Sequence, residues 1–275
     1  MDVNAITSCL RELDLRPRGE RIRAVTLHAR TPGGSKPWNC LASDQSWYVV
    51  KCRNNPQDER LGSPLKFLTT DLVCGRLGQL FDPPLCPKVE IIDVPLNVAS
   101  LATHPPTKHR SAHKPAPGPS FGSRLVENAI EVKIGGSDIL DDVELEQVAR
   151  LITFQTWLRG IDVSALVTSD RRLLSIDHGF FLTVYRWDDP KFAKAEKIKP
   201  KIPSQFRMVE QLKDPSLFAV ILNELMSISD SEIIRAFADI PSEWGASLEL
   251  RSKAAAYVLL RRRLIPQAIS ALWNR

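Results

Sequence analysis

The clearest pattern of hydrophobic and polar positions lies in residues 147–182. Apolar side chains there recur every three or four residues, as part of a helix predicted over 139–159. Two short apolar runs on either side of a polar turn then predict a β-hairpin over 166–176. Because a hairpin brings its two ends together, Asp162 before it and Asp177 after it are expected to lie near each other.

Two carboxylates at the ends of paired strands have two interpretations. Asp162 and Asp177 could together hold Mg²⁺ and orient a hydroxyl group, as phosphoryl transfer requires. Aspartate also caps turns in many loops, and that role needs no ligand. From these residues alone, both interpretations stay open.

Short runs of apolar and alternating positions in the first half of the chain predict β-strands. They fall at 21–30, 38–42, 46–52, 87–94 and 124–126. Lys51 lies near the end of the third strand, where its head group could be solvated or could bind phosphate beneath a glycine-rich turn. Gly33, Gly34 and Ser35 are the candidates for that turn, although any surface hairpin can carry such residues.

A helix is predicted over 63–81, because serine and proline suit its first turn and two further prolines end it. Asp71 lies on the inward side of this helix, at helical spacing from leucines. A carboxylate in that position needs a partner, and Lys51 is the candidate. The alternatives are that Asp71 faces solvent or pairs with Arg76.

Residues 103–120 are rich in proline and lysine and include three histidines. The histidines match no helical face and the prolines would interrupt a helix, so a mobile surface loop is favoured over a metal site. The remainder of the chain is mostly helical by its pattern. Helices are predicted at 215–227, 229–239, 244–263 and 266–273.

Composition changes this picture only modestly. The chain has 275 residues, 43% of them hydrophobic, which is enough for a large core or two lobes. A formal net charge of +5 and a pI near 9.0 are compatible with binding nucleotide phosphates. The basic runs carry no interleaved aromatic residues, so nucleic acid ranks last among the expected partners.

Cysteine usage and hydropathy predict a cytoplasmic protein. The five cysteines are odd in number and form no C-x-x-C pair, which favours reduced thiols over disulfides or a zinc site. No apolar run approaches the length that crosses a bilayer, and no signal peptide is visible. A membrane partner is therefore not expected.

Several short motifs, taken in order, resemble the small bacterial HipA-like kinases, which have a protein-kinase-like fold. The matching segments are Tyr48-Val49-Val50-Lys51, Asp71-Leu72-Val73-Cys74-Gly75-Arg76-Leu77-Gly78, Phe121-Gly122-Ser123-Arg124, Thr156-Trp157-Leu158-Arg159, Ile176-Asp177-His178-Gly179 and Ile240-Pro241-Ser242-Glu243-Trp244. Each motif is weak by itself, but their order is fairly specific. The resemblance covers residues from about 22 to 263.

This resemblance implies roles for individual residues, with ATP and Mg²⁺ as cofactors. Lys51 would grip the α- and β-phosphates of ATP, and Asp71 would hold Lys51 in place. Asp177 would bind Mg²⁺, and Asp162 would accept the proton of the substrate hydroxyl. The crossing between the two halves would offer adenine the backbone groups of Val126 and Asn128.

Three departures from the family pattern fall on the chemistry. The family has an asparagine one turn after the catalytic-loop aspartate as a second metal ligand, and here Ser164 is the nearest polar substitute. Val163 stands where the family has a basic residue. Asp71 replaces a glutamate and is one methylene shorter, so it reaches Lys51 only if the helix lies closer.

Two functions are therefore expected from the sequence. The first is an ATP-dependent kinase that transfers phosphate to a protein or small-molecule hydroxyl. The second is a catalytically weak or inactive pseudokinase that binds nucleotide or a protein partner. The predicted fold is α+β with two lobes: an antiparallel sheet with one helix over 1–128, and a mostly helical lobe over 129–275.

Overall fold

The computed structural model describes ten stretches of the chain. They are residues 2–16, 19–30, 36–54, 66–105, 112–133, 144–161, 164–182, 200–202, 212 and 214–271. Four predicted site residues, Gly33, Gly34, Ser35 and Asp162, lie outside these ranges, so their predicted roles stay predictions.

The first half of the chain forms a five-stranded barrel. Its strands are β1 Ile22–Ala29, β2 Trp38–Ala42, β3 Trp47–Lys51, β4 Val89–Val94 and β5 Gly118–Arg124. The strand order is β1-β2-β3-β5-β4, and a parallel β1–β4 pair closes it. The predicted antiparallel sheet is thus corrected, because closure pairs two edges that a sheet would leave exposed.

The barrel has its own apolar interior, supplied by alternate residues of its strands. In β2, for example, Trp38, Cys40 and Ala42 are buried while the residues between them are partly exposed. A Cβ at Gly122 of β5 would lie 2.4 Å from the Ile92 side chain, so glycine permits the close approach of β5 and β4 there.

β5 corrects the strand predicted at 124–126. The strand ends at Arg124 and begins at Gly118, inside the predicted loop 103–120. Gly118-Pro119-Ser120 has the composition of a turn, but pairing with Ile92–Val94 of β4 overrides that local preference.

His104 and His113 tie the described part of the 103–120 segment to the barrel. Their backbones form an antiparallel bridge, and the His104 ring packs on Trp38 with a centroid distance of 4.1 Å. Nε2 of His104 lies 3.0 Å from the Pro37 carbonyl oxygen and 3.2 Å from that of Lys36. Burial lowers the pKa of His104, and the nearby Lys36 cation lowers it further.

We expect this histidine to make the barrel sensitive to acid. A histidine with a depressed pKa in the folded state binds fewer protons than in the unfolded chain, so stability falls as pH drops below about 6.5. The unfolding temperature of wild type should therefore decrease more between pH 7.5 and pH 5.5 than the unfolding temperature of His104→Gln. Equal decreases would contradict this prediction.

Helices and a small sheet make up the rest of the described residues. The helices are α1 Val3–Asp14, α2 Lys66–Gly78, α3 Leu96–Leu101, α4 Leu145–Leu158, α5 Ser216–Ser227, α6 Asp230–Arg235 and α7 Leu248–Ser270. The small sheet has the strands β6 Ile130–Lys133, β7 Ser164–Val167 and β8 Leu173–Ile176, in that order. The mixed α/β content agrees with the predicted class.

The hairpin prediction is confirmed, and the helices differ from the prediction at one point. β7 and β8 pair antiparallel, as predicted for 166–176. Residues 1–128 contain the helices α1, α2 and α3, where the predicted lobe has one helix. The two C-terminal helices predicted on either side of Pro266 are one helix, since Ile265 and Ile269 are buried together and hold the helix through the proline.

A second, larger core joins α2 to the helical half of the protein. It takes buried side chains from α1, α2, α4, α5, α6 and α7. The interior of the barrel forms a separate cluster. No helix within the described ranges is both long and apolar enough to cross a membrane.

Candidate functional site

Lys51 is the centre of the candidate site. It is the last residue of β3, and its side chain is 7% exposed. Its Nζ lies 2.9 Å from Oδ2 of Asp71 and 2.6 Å from Oδ1 of Asp177. The barrel, helix α2 and the end of the hairpin therefore each contribute one charged side chain to the same point.

Asp71 is the buried carboxylate of this group. Its Oδ2 accepts from Lys51, and its Oδ1 accepts from the backbone N–H of His178 at 2.7 Å. Arg76 instead donates to the carbonyl oxygens of Ala236 and Ala238. The pairing predicted for Asp71 is thus present in the structure, and the alternatives of solvent or Arg76 are not.

Asp177 is the accessible carboxylate. It directly follows β8 and takes a left-handed backbone conformation with φ of 58°. Its side chain is 39% exposed, against 1% for that of Asp71. Of the two carboxylates that contact Lys51, Asp177 is therefore the one that a ligand can reach.

Electrostatics keep the lysine charged. Burial lowers the pKa of Lys51, but the carboxylates of Asp177 and Asp71 raise it by more, and the net shift is upward. Burial raises the pKa of Asp71 to about 6, with a further increase from Asp177 and an opposing decrease from Lys51. At neutral pH the site thus presents an ammonium group between carboxylates.

Aromatic rings line the buried side of Lys51. The centroid of the Phe67 ring lies 4.4 Å from Nζ, and that of Phe121 lies 5.9 Å away. Phe67 also covers Gly179, where an added Cβ would be 1.8 Å from the ring. Sequence analysis missed Phe67, because only its helical spacing from Asp71 pointed to this side of α2.

His178 is a neutral, buried group behind the site. Its Nε2 lies 2.9 Å from Oγ of Ser175 and 3.8 Å from Sγ of Cys86. Burial and the neighbouring Lys51 cation lower its pKa to about 3. The histidine therefore holds the Asp177 turn through its backbone N–H and its packing, without adding charge.

The remaining predicted residues lie at the edges of this group. Ser164 is buried and pairs with Ile176, directly before Asp177. Val126 and Asn128 lie between β5 and β6, where Asn128 is exposed with φ of 56°. The contacts predicted for these residues with metal or adenine stay predictions.

Metal binding would depend mainly on Asp177. In the part of the chain that the structure describes, no three His, Cys, Asp or Glu side chains meet to form a metal site. Mg²⁺ typically binds one or two protein carboxylates and completes its coordination with phosphate and water. The accessible Asp177 carboxylate fits that mode of binding and does not fit a closed protein cage.

Comparison with known proteins gives one family match. A family described as HipA-like kinase matches residues 24–261. No curated protein matches the chain. Two crystal structures are similar at 11% identity. The first is a Golgi casein kinase, with a TM-score of 0.47 over 100% of this chain and 77% of that chain. The second is the Golgi casein kinase with Mn/ADP bound, with a TM-score of 0.41 over 99% of this chain and 76% of that chain.

Proposed function

Because this chain belongs to the HipA-like kinase family, we propose that it binds ATP with Mg²⁺ at Lys51 and Asp177 and transfers phosphate to a hydroxyl group. The acceptor would belong to a protein or a small molecule. The observation that carries the proposal is the position of Lys51 Nζ, held between a buried and an accessible carboxylate. A nucleoside triphosphate and its metal require this arrangement, with an ammonium group for the phosphates and a carboxylate for the metal.

Each residue has a separate task in this proposal. The Lys51 ammonium group binds the α- and β-phosphates, and Asp71 keeps it in position from the buried side. Asp177 would hold Mg²⁺, with Ser164 as a weaker second ligand; when bound, the metal neutralises charge on the phosphates. Asp162 accepts the proton of the attacking hydroxyl as general base.

The ion pair between Lys51 and Asp177 couples the binding of nucleotide to the binding of Mg²⁺. While Lys51 occupies Asp177 at 2.6 Å, that carboxylate already has a cationic partner. Phosphate groups that bind Lys51 release Asp177, which can then accept a metal. We therefore expect Mg²⁺ to bind together with the nucleotide rather than before it.

A second candidate function is a nucleotide-binding module without turnover. It is favoured by the replacement of the family's asparagine, because a neutral serine hydroxyl is a poorer Mg²⁺ ligand than a carboxylate or amide oxygen. Ser164 is also buried, at 5% exposure. In this case the site would bind ATP and present a nucleotide-dependent surface to a protein partner.

Ligand-induced stabilisation tests the proposed binding. ATP should raise the unfolding temperature of wild type, and Mg²⁺ should raise it further, because a ligand that binds only the native state stabilises it. Asp177→Asn should lose the additional rise in unfolding temperature that Mg²⁺ causes, because its affinity for Mg²⁺ should fall by about tenfold or more. Glu12→Gln, an exposed change on α1, serves as the control. No shift with ATP under either condition would reject the proposed function.

Phosphate transfer then separates the two candidates. Radiolabelled ATP and a heat-inactivated bacterial lysate as the source of hydroxyl acceptors should give labelled product with wild type and none with Asp162→Asn. Labelled product from both proteins would reject Asp162 as the general base. Binding without transfer by wild type would assign the pseudokinase function.

A further inference from the structure

Helix α2 contributes to the large core in addition to contacting the barrel. Its buried side chains Phe67, Leu68, Leu72 and Leu77 belong to the large core that also contains α4, α5 and α7. They do not belong to the interior of the barrel. The helix that carries Asp71 therefore lies against β4 and β5 and also shares a core with the C-terminal helices.

Arg76 makes a polar connection in the same direction. Its guanidinium group donates to the carbonyl oxygen of Ala238 at 2.5 Å and to that of Ala236 at 3.3 Å. Ala236 is the C-cap of α6, where carbonyl groups lack helical partners and a cation is favourable. A charged donor thus joins α2 to the end of α6.

The segment that receives Arg76, residues 236–244, is itself fixed from several sides. Arg251 of α7 donates to the Phe237 carbonyl at 3.1 Å and pairs with Asp14 at 2.6 Å. At its other end, Nε1 of Trp244 donates to the carbonyl of Pro119 in β5 at 2.9 Å. Arg76 therefore binds a rigid support.

The distance along α2 connects this support to the site. Arg76 follows Asp71 by five residues, which is about 7.5 Å of helix. A helix of this length moves as a rigid element, so a displacement at Arg76 is transmitted to Asp71. Asp71 contacts Lys51 with a short side chain, and a small shift of α2 would break that contact.

We propose that Arg76 is a positioning residue, which fastens α2 to the 236–244 segment and so keeps Asp71 against Lys51 before nucleotide binds. This role rests on the proposed function for its effect on ATP affinity. The fastening itself is a property of the protein without ligand. The supporting observations are the shared core, the two Arg76 contacts and the two contacts that hold the 236–244 segment at Phe237 and Trp244.

Hydrogen exchange without nucleotide tests the fastening. Arg76→Ala should increase the exchange of amides in 66–78 by about tenfold or more, because a 1.4 kcal/mol loss of local stability corresponds to that factor. The matched control is Arg262→Ala, which removes a buried arginine that binds Ile228 and Asp230 at the opposite end of α6. Unchanged exchange in α2 of Arg76→Ala would overturn the proposal, even in a protein that bound no ATP.

ATP affinity tests the consequence for the site. Arg76→Ala should weaken ATP binding by about tenfold, whereas Arg262→Ala should leave it near wild type. In an Asp71→Asn background, Arg76→Ala should have no further effect on ATP affinity, because the contact that it positions is already altered. Faster exchange in α2 together with wild-type ATP affinity would reject the positioning role. An additive loss in the double variant would also reject it.

Discussion

Lys51→Met is expected to lower the free energy of unfolding by about 3–5 kcal/mol, the cost of leaving a buried charge without its partner. The lysine is 6% exposed, and Asp71 beside it is almost completely buried. Without the ammonium group, Asp71 loses the donor to its Oδ2, while the backbone N–H of His178 still donates to its Oδ1. Chemical denaturation of wild type and variant measures the difference.

The matched test of this explanation is the double variant Lys51→Met/Asp71→Asn. An amide oxygen can still accept from the His178 N–H, and the uncompensated charge is gone. We expect the double variant to be more stable than Lys51→Met alone. If Asp71→Asn gave no recovery, the loss would come from packing of the lysine stem rather than from an unpaired carboxylate.

Gly179→Ala is expected to cost about 3 kcal/mol in stability, at the upper end of overpacking effects. Its Cβ would lie 1.8 and 2.0 Å from two ring atoms of Phe67, and that ring is itself held over Lys51. The ring or the 177–179 turn must therefore move. Either movement also disturbs the Lys51 contacts, so nucleotide-induced stabilisation should be lost as well.

A second-site change tests whether the steric conflict with Phe67 causes the loss. Leucine at position 67 is smaller than phenylalanine, so Gly179→Ala/Phe67→Leu should be more stable than the sum of the single variants predicts, by about 1–2 kcal/mol. Additive effects would show that the two residues do not conflict.

The sequence predicted the parts of the site that local patterns encode. The alternation in β3 placed Lys51 at a strand end, and helical spacing placed Asp71 on the inward side of α2. The polar turn between two apolar runs predicted the hairpin that ends at Asp177. In each case a few neighbouring residues contain the whole signal.

The rest depends on contacts between distant residues. The barrel closes through a parallel pair of β1 and β4, and strand β6 is only four residues long and gains its pairing from β7. Phe67 and Gly179 are in contact although they lie 112 positions apart in the sequence (179 − 67). No periodicity or local composition reports such a contact, so tertiary packing decided these features.

The division between the two cores has a mechanical consequence. Because α2 contacts β4 and β5 of the barrel as well as the large core, a hinge motion of the barrel relative to the hairpin of β7 and β8 would separate Lys51 from Asp177. The boundary that opens would then pass between these two side chains. Their separation, 2.6 Å here, would distinguish a closed from an open conformation.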